Sequence, residues 1–140
     1  MSDKLGCLLF QMPPGFKYSE EHLELIIKSL HKGHRNVVEF RAKEWWNKKV
    51  FEALEDEKII FCTISYPNLP EDTVINSETA YVRYHGRSQL YVSDYTEKEI
   101  QMLHDSISKK RKVKEAYIYF DNTGSNAGYE NAFELQKLVR

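Results

Sequence analysis

The sequence predicts an α/β fold in which about five parallel strands alternate with helices. Three observations carry that expectation. Apolar residues switch repeatedly between the short runs of strands and the three-to-four spacing of helices. Single helices separate the strand-like segments, an order that builds parallel sheets. At 140 residues the chain is one domain, residues 1–140, long enough to bury a real core.

Leu5 to Phe10 is an apolar run stopped by Pro13-Pro14, and reads as a buried strand. Ser19 starts a helix with Glu20 and Glu21 in its first turn, where carboxylates suit the dipole. Leu23, Ile26, Ile27 and Leu30 form its apolar face, and Gly33 is its expected cap. Val37 to Arg41 is the second strand. Trp45 to Leu54 follows as a helix, with Trp46, Val50 and Leu54 on one stripe; Trp46 reads as core, and Trp45 reads either as core too or as lining the site mouth. Ile59 to Ile64 is the third strand, rich in β-branched residues. Tyr66 to Thr79 is a long loop, functional or mobile by its length. Ala80 to His85 is the fourth strand. Thr96 and Glu99 form a capping box ahead of Ile100, Leu103 and Ile107. Ala116 to Phe120 is the fifth strand, and Phe133, Leu135 and Leu138 mark the last helix.

Composition excludes several classes. With 41% hydrophobic and 13% aromatic residues, wholesale disorder is ruled out. No apolar run nears the ~20 residues that span a bilayer, so no membrane is expected. Leu5–Phe10 is too short for a secretory signal, which points to a cytoplasmic protein. The 20 basic and 21 acidic residues give no support to a generic polyanion binder. The basic run Lys109, Lys110, Arg111, Lys112, Lys114 reads as a solvated helix end, so a nucleic-acid partner is only a second alternative. Cys7 and Cys62 read as free thiols. His31 and His34 lack further ligands nearby, so neither a metal nor a cofactor is expected.

Strand side chains alternate between faces. Cys7, Leu9 and Gln11 share one face, as do Val37, Glu39 and Arg41; Tyr81, Arg83 and His85; and Tyr117, Tyr119 and Asp121. The opposite face is apolar each time, with Val38 and Phe40, Val82 and Tyr84, Ile118 and Phe120. One face thus packs on helices while the other turns polar toward the strands' carboxyl ends. That suits the mouth of a barrel or the carboxyl edge of an open sheet, and a full (β/α)₈ barrel of about 250 residues is too long for this chain. Buried ion pairs, with Glu39 neutralising Arg41 or Arg83, give the same pattern. Four strands repeating it favour a shared site, and Glu39, Arg41, Arg83 and His85 are expected in one pocket. His85 and Glu39 are the candidate acid–base pair, and Arg41 and Arg83 suit a carboxylate or phosphate.

The segments LGCLLFQMPP, EFRAKEWW, YVRYHG with Tyr91 and Tyr95-Thr96, and YIYFDNTGSNAGYENA resemble successive motifs of the YecE-like family, domain of unknown function seventy-two. The resemblance implies a TIM-barrel-like fold, present here as its C-terminal portion only, as in a truncated member. Its motifs fall on Gln11, Pro13 and Pro14; on Glu39, Phe40, Arg41 and Trp45, with Ala42 at a usual His; on Arg83, His85 and Gly86; and on Tyr119, Phe120, Asp121 and Asn122, with Asp121 at a usual Asn. Asn126 stands where the family has a Gly. The family has no established reaction. The resemblance therefore implies ligand contacts from Gln11, Arg41, Arg83, Tyr119, Asp121, Asn122, Thr123 and Asn126 without naming a substrate.

The expected function is an enzyme or binder of a small anionic ligand at the carboxyl ends of the strands. The alternative is a non-catalytic interaction module or an inactive truncated remnant. The loop Thr123–Gly128 leads into a helix and reads either as an anion site around Asn126 or as an ordinary turn capped by Ser125 or Asn126. A barrel lacking its first strands has an open edge, so a homo-oligomer is expected.

Overall fold

The structure is a computed structural model that describes residues 5–139. Strand β1 (Leu8–Met12) leads to helix α1 (Glu20–Ser29) and β2 (Asn36–Phe40). A single 3₁₀ turn (Lys43–Trp45) precedes α2 (Lys48–Asp56), β3 (Ile60–Phe61) and β4 (Thr63–Ser65). Then come β5 (Thr79–Tyr84), α3 (Glu97–Ser108), β6 (Glu115–Phe120) and α4 (Ala127–Val139). The strands form two three-stranded sheets, β1-β2-β3 and β4-β5-β6, and every pairing is parallel. No helix among the described residues is long and apolar enough to cross a membrane.

The helix starts follow their caps. Ser19 accepts the His22 amide and starts α1. Thr96 and Glu99 close a full capping box on α3. Asn47 accepts the Val50 amide at 3.0 Å, which delays α2 to Lys48 and leaves Trp45 on the preceding turn. Of the two readings of Trp45, core or site mouth, the structure takes the core, and it is Trp46 that is less buried. Trp45 is fully buried, stacked on Phe40 at 4.1 Å, with its Nε1 donating to the Phe16 carbonyl; Trp46 is only half-buried. Gly33 does not cap α1, which ends at Leu30, whose backbone N–H donates to the Ile26 carbonyl.

The third expected strand, Ile59–Ile64, is two strands. Ile60–Phe61 pairs with β2 and Thr63–Ser65 with β5, with Cys62 between them. The chain then reaches β5 without a helix. Residues 66–78 form a strap that starts at the inner cluster with Tyr66 and Leu69 and reaches the outer clusters with Val74 and Ile75. Asn76, buried, donates to the Ile59 carbonyl and accepts the Phe61 amide, each at 2.9 Å. Thr63 Oγ1 donates to the Val74 carbonyl and accepts the Val74 amide. The strap is thus hydrogen-bonded to the sheet through two side chains.

Packing follows the alternation of the strands. Val38, Phe40 and Phe61 meet Leu23, Ile26, Val50 and Leu54 from α1 and α2. Ala80, Val82 and Tyr84 meet Ile100, Leu103 and Ile107 from α3, with Leu135 from α4. The inner face carries a third cluster, Val37, Ile60, Cys62, Ile64 and Tyr81, which joins the two sheets. Above it, toward the carboxyl ends, the inner face turns polar.

Candidate functional site

Glu39 is the hub of the polar inner face. Its side chain has no exposed surface, and four partners converge on it from β1, β2 and β5. Arg83 Nη1 lies 2.6 Å from Oε2, and Arg41 Nε lies 2.9 Å from Oε1. Gln11 Nε2 donates to Oε1 at 3.3 Å, as its register opposite Glu39 allows. His85 Nε2 stands 3.4 Å from the same oxygen. On the far side Asp121, just past β6, takes Arg83 Nη2 at 2.7 Å and faces His85 Nδ1 at 3.6 Å. His85, itself buried, is bracketed by two carboxylates at ion-pair distances that fall short of well-formed hydrogen bonds.

Burial, the largest single influence on Glu39, would push its carboxyl up. The opposing contacts of His85, Arg41 and Arg83 outweigh it and hold the group at about 2. Glu39 is therefore ionised throughout the physiological range, and the buried charge is matched by its partners. Arg41 also lies over the Tyr66 ring, 5.4 Å from its centroid, a cation–π geometry.

These groups line an open cleft of about 450 Å³ formed by Gln11, Arg41, Arg83, His85, Tyr91, Asp121 and Thr123. The structure thus brings together Glu39, Arg41, Arg83 and His85 as the strand periodicity predicts, with Gln11, Asp121 and Thr123 beside them. The remaining sequence candidates lie elsewhere. Tyr119 shares the inner face but packs on Tyr81 at 5.3 Å and is 41% exposed outside the cleft. Asn122 is fully buried and donates to the Ser93 carbonyl and Asn131 Oδ1, each at 2.9 Å. Asn126 faces solvent. In its loop the Ala127 amide is already taken by Ser125 Oγ at 3.2 Å, and Gly128 packs against the Phe120 carbonyl and Asn122. The Ser125 contact is the one an ordinary capped turn makes.

Two cleft neighbours escape the sequence reading of the site. Tyr66, on the strap, holds Arg41 from below and meets His85 edge-on at 5.8 Å. Tyr91, at φ +64°, donates its amide to the His85 carbonyl and sets its ring 6.0 Å from the imidazole. Both sit on loops, where no periodicity reports direction. His31 and His34 stack on each other at 5.1 Å, and no group of three or more His, Cys, Asp or Glu residues is arranged for a metal among the described residues.

Comparison with known proteins gives the family and the fold. A family model described as "Protein of unknown function DUF72" matches residues 1–140. A crystal structure of a DUF72 family protein from Thermotoga maritima MSB8 superimposes with a TM-score of 0.88 at 27% identity, over 98% of this chain and 58% of that one. Two crystal structures of a DUF72 family protein from Enterococcus faecalis V583 give TM-scores of 0.87 and 0.83 at 19% and 21% identity. They are matched over 97% of this chain and over 59% and 61% of theirs. The chain thus spans about three-fifths of the length of these solved structures. No curated protein matches it.

Proposed function

We propose a function from the premise that the chain belongs to the DUF72 family of unknown function: it binds a small carboxylate- or phosphate-bearing ligand in the cleft at the carboxyl ends of its strands. The single observation that supports this reading is Arg41. Its Nε is anchored on Glu39 and its Cζ lies over the Tyr66 ring, while its terminal nitrogens take no hydrogen bond among the described residues and the side chain lines the cleft. A guanidinium pre-oriented in this way offers two parallel donors to a bidentate anion. His85, between Glu39 and Asp121, is placed to hold or hand over a proton beside that anion, which makes acid–base chemistry the natural reaction class. Parallel sheets with helices outside and a polar cluster at the carboxyl ends support reading the single domain as the incomplete part of a TIM-barrel-like fold.

A second reading has its own support. Arg83 is spent on Glu39 and Asp121, so the cluster already balances much of its charge and would serve as a buried ionic core of an interaction module. Calorimetric titration with inorganic phosphate and with malonate separates the two. The ligand reading expects saturable binding to one of them, weakened about tenfold or more by Arg41→Gln, the loss expected for one charge-assisted contact. Absence of binding to either anion, or binding indifferent to Arg41→Gln, favours the ionic core.

A further inference from the structure

Resting on the ligand reading above, we infer that the occupant of the cleft is a polyhydroxylated anion, a sugar acid or a sugar phosphate. Its anionic group lies on Arg41, and its hydroxyl groups lie on Gln11, Tyr91, Asp121 and Thr123. The first support is what lines the cleft. None of its lining side chains is aliphatic. Small-molecule sites are usually lined predominantly by apolar and aromatic groups, with only a few polar ones. Here Tyr91 alone brings an apolar body, while the inner cluster of Val37, Ile60 and Ile64 lies apart from the cleft lining. A hydrocarbon tail would bury almost no apolar surface against these walls and would gain little from leaving water. At about 450 Å³ the cleft falls within the roughly 300–1,000 Å³ typical of small-molecule sites.

The second support is the balance of charge. Glu39 and Asp121 are matched by Arg41 and Arg83. Arg83 gives Nη1 to Glu39 and Nη2 to Asp121, whereas Arg41 keeps both terminal nitrogens unengaged among the described residues. That arrangement suits one anionic group. A ligand cation is disfavoured, because the one carboxylate lining the cleft, Asp121, is already shared by Arg83 and faces His85. An ammonium there would stand among two guanidiniums. The rest of the ligand is therefore polar and uncharged.

The third support is the set of polar atoms left over. Gln11 spends its Nε2 on Glu39 but not its Oε1, and Asp121 spends Oδ2 on Arg83 but not Oδ1. The side-chain hydroxyls of Tyr91 and Thr123, which complete this lining, make no hydrogen bond among the described residues. The four groups come from three places: β1, the segment after β5 and the segment after β6. Two of the free atoms only accept, and two both donate and accept. Ligand hydroxyls donate and accept in turn, so several of them on one skeleton match this set. Ketone or ether oxygens only accept, and would leave Gln11 and Asp121 without a donor. Because the groups stand on separate elements, one hydroxyl does not serve them all.

Calorimetric titration of the 140-residue chain with matched probes tests the inference. Gluconate is compared with hexanoate, and glucose 6-phosphate with hexyl phosphate. In at least one pair the hydroxylated member should bind about tenfold or more tightly than its bare counterpart, and the pair that does so identifies the head group as carboxylate or phosphate. Tyr91→Phe combined with Thr123→Val removes two hydroxyls, while the backbone N–H of residue 91 still donates to the His85 carbonyl. The combination should cut the preference about tenfold and leave binding of the bare anion unchanged. If it misfolds, the paired probes on the unmodified chain decide alone. Equal affinities within both pairs, lost together in Arg41→Gln, overturn the hydroxylated class while the anion reading stands. So does tighter binding of 6-aminohexanoate than of gluconate, or a preference that the folded double variant leaves intact. Binding of none of the probes removes the anion reading itself, and this inference with it.

Discussion

Replacing Glu39 by Gln keeps the volume of the hub and removes its charge. Arg41 and His85 then lose their nearest carboxylate, and Arg83 keeps only Asp121. The magnitude follows from titration. Glu39 titrates at about 2 in the folded chain against an ordinary value of 4.5, which corresponds to about 3 kcal/mol of stability. Breaking one side of a buried ion pair costs about 3–5 kcal/mol, the same range. Because the folded value is the depressed one, this stability is fully present above the ordinary value and is lost as pH falls from about 4.5 toward 2. Urea unfolding followed by tryptophan fluorescence reads it, since Trp45 is fully buried. At pH 7 the variant should be less stable by about 3 kcal/mol, a large share of a typical 5–15 kcal/mol total. Between pH 4.5 and 2 the gap should shrink, because the native chain loses a contribution the variant never had. Other carboxylates titrate in both proteins and cancel in the difference. A gap that stays constant across that window, or a variant as stable as the native chain at pH 7, would refute the account of Glu39 as a charged hub.

Three further outcomes are expected. Gly86 holds φ +106°, and a Cβ there would collide with the Gln89 carbonyl oxygen, so Gly86→Ala should cost about 1–3 kcal/mol in thermal unfolding. Asn76→Ala leaves the buried Phe61 amide and Ile59 carbonyl without the partner that joins them to the strap; a loss of about 2 kcal/mol and faster amide exchange across residues 72–78 should follow. Burial raises both thiols, Cys62 far more than Cys7, so a thiol-specific dye should label Cys7 first and reach Cys62 only as the chain unfolds.

The cleft was legible in the sequence because period-two alternation is a local property. Once Val38 and Phe40 are assigned to the core, Glu39 and Arg41 must face the other way. The same logic places Arg83 and His85 opposite Val82 and Tyr84. Features decided by distant partners were not legible. Residues 59–64 read as one strand, apolar but for Thr63, and nothing in them reports that β2 claims the first half and β5 the second. Asn122 reads as a polar side chain at a strand's end, yet its bonds go to Ser93 and Asn131, 29 and 9 residues away. Which tryptophan is the deeper one was not legible, because Asn47 caps the helix at Lys48 and leaves Trp45 on the preceding turn. The strap was expected as a loop, but its anchoring by Thr63 and Asn76 depends on side chains matching backbone groups across the fold.

The break at Cys62 bears on how the molecule comes apart. The outer clusters belong separately to the two sheets, one with α1 and α2 and the other with α3 and α4. They are joined by residues 60–65, by the inner cluster that includes Cys62 and Tyr81, by the contacts of Arg83 and His85 with Glu39, and by Arg35 with Glu115 and Tyr117 and Lys112 with Glu55. Unfolding cooperativity is therefore concentrated in this seam between the two sheets rather than spread through them. Volume lost at Cys62 or charge lost at Glu39 acts on that seam, so each is felt in both halves, whereas damage on an outer helix stays within its own. The groups that line the cleft are thus also the groups that make the two halves melt as one.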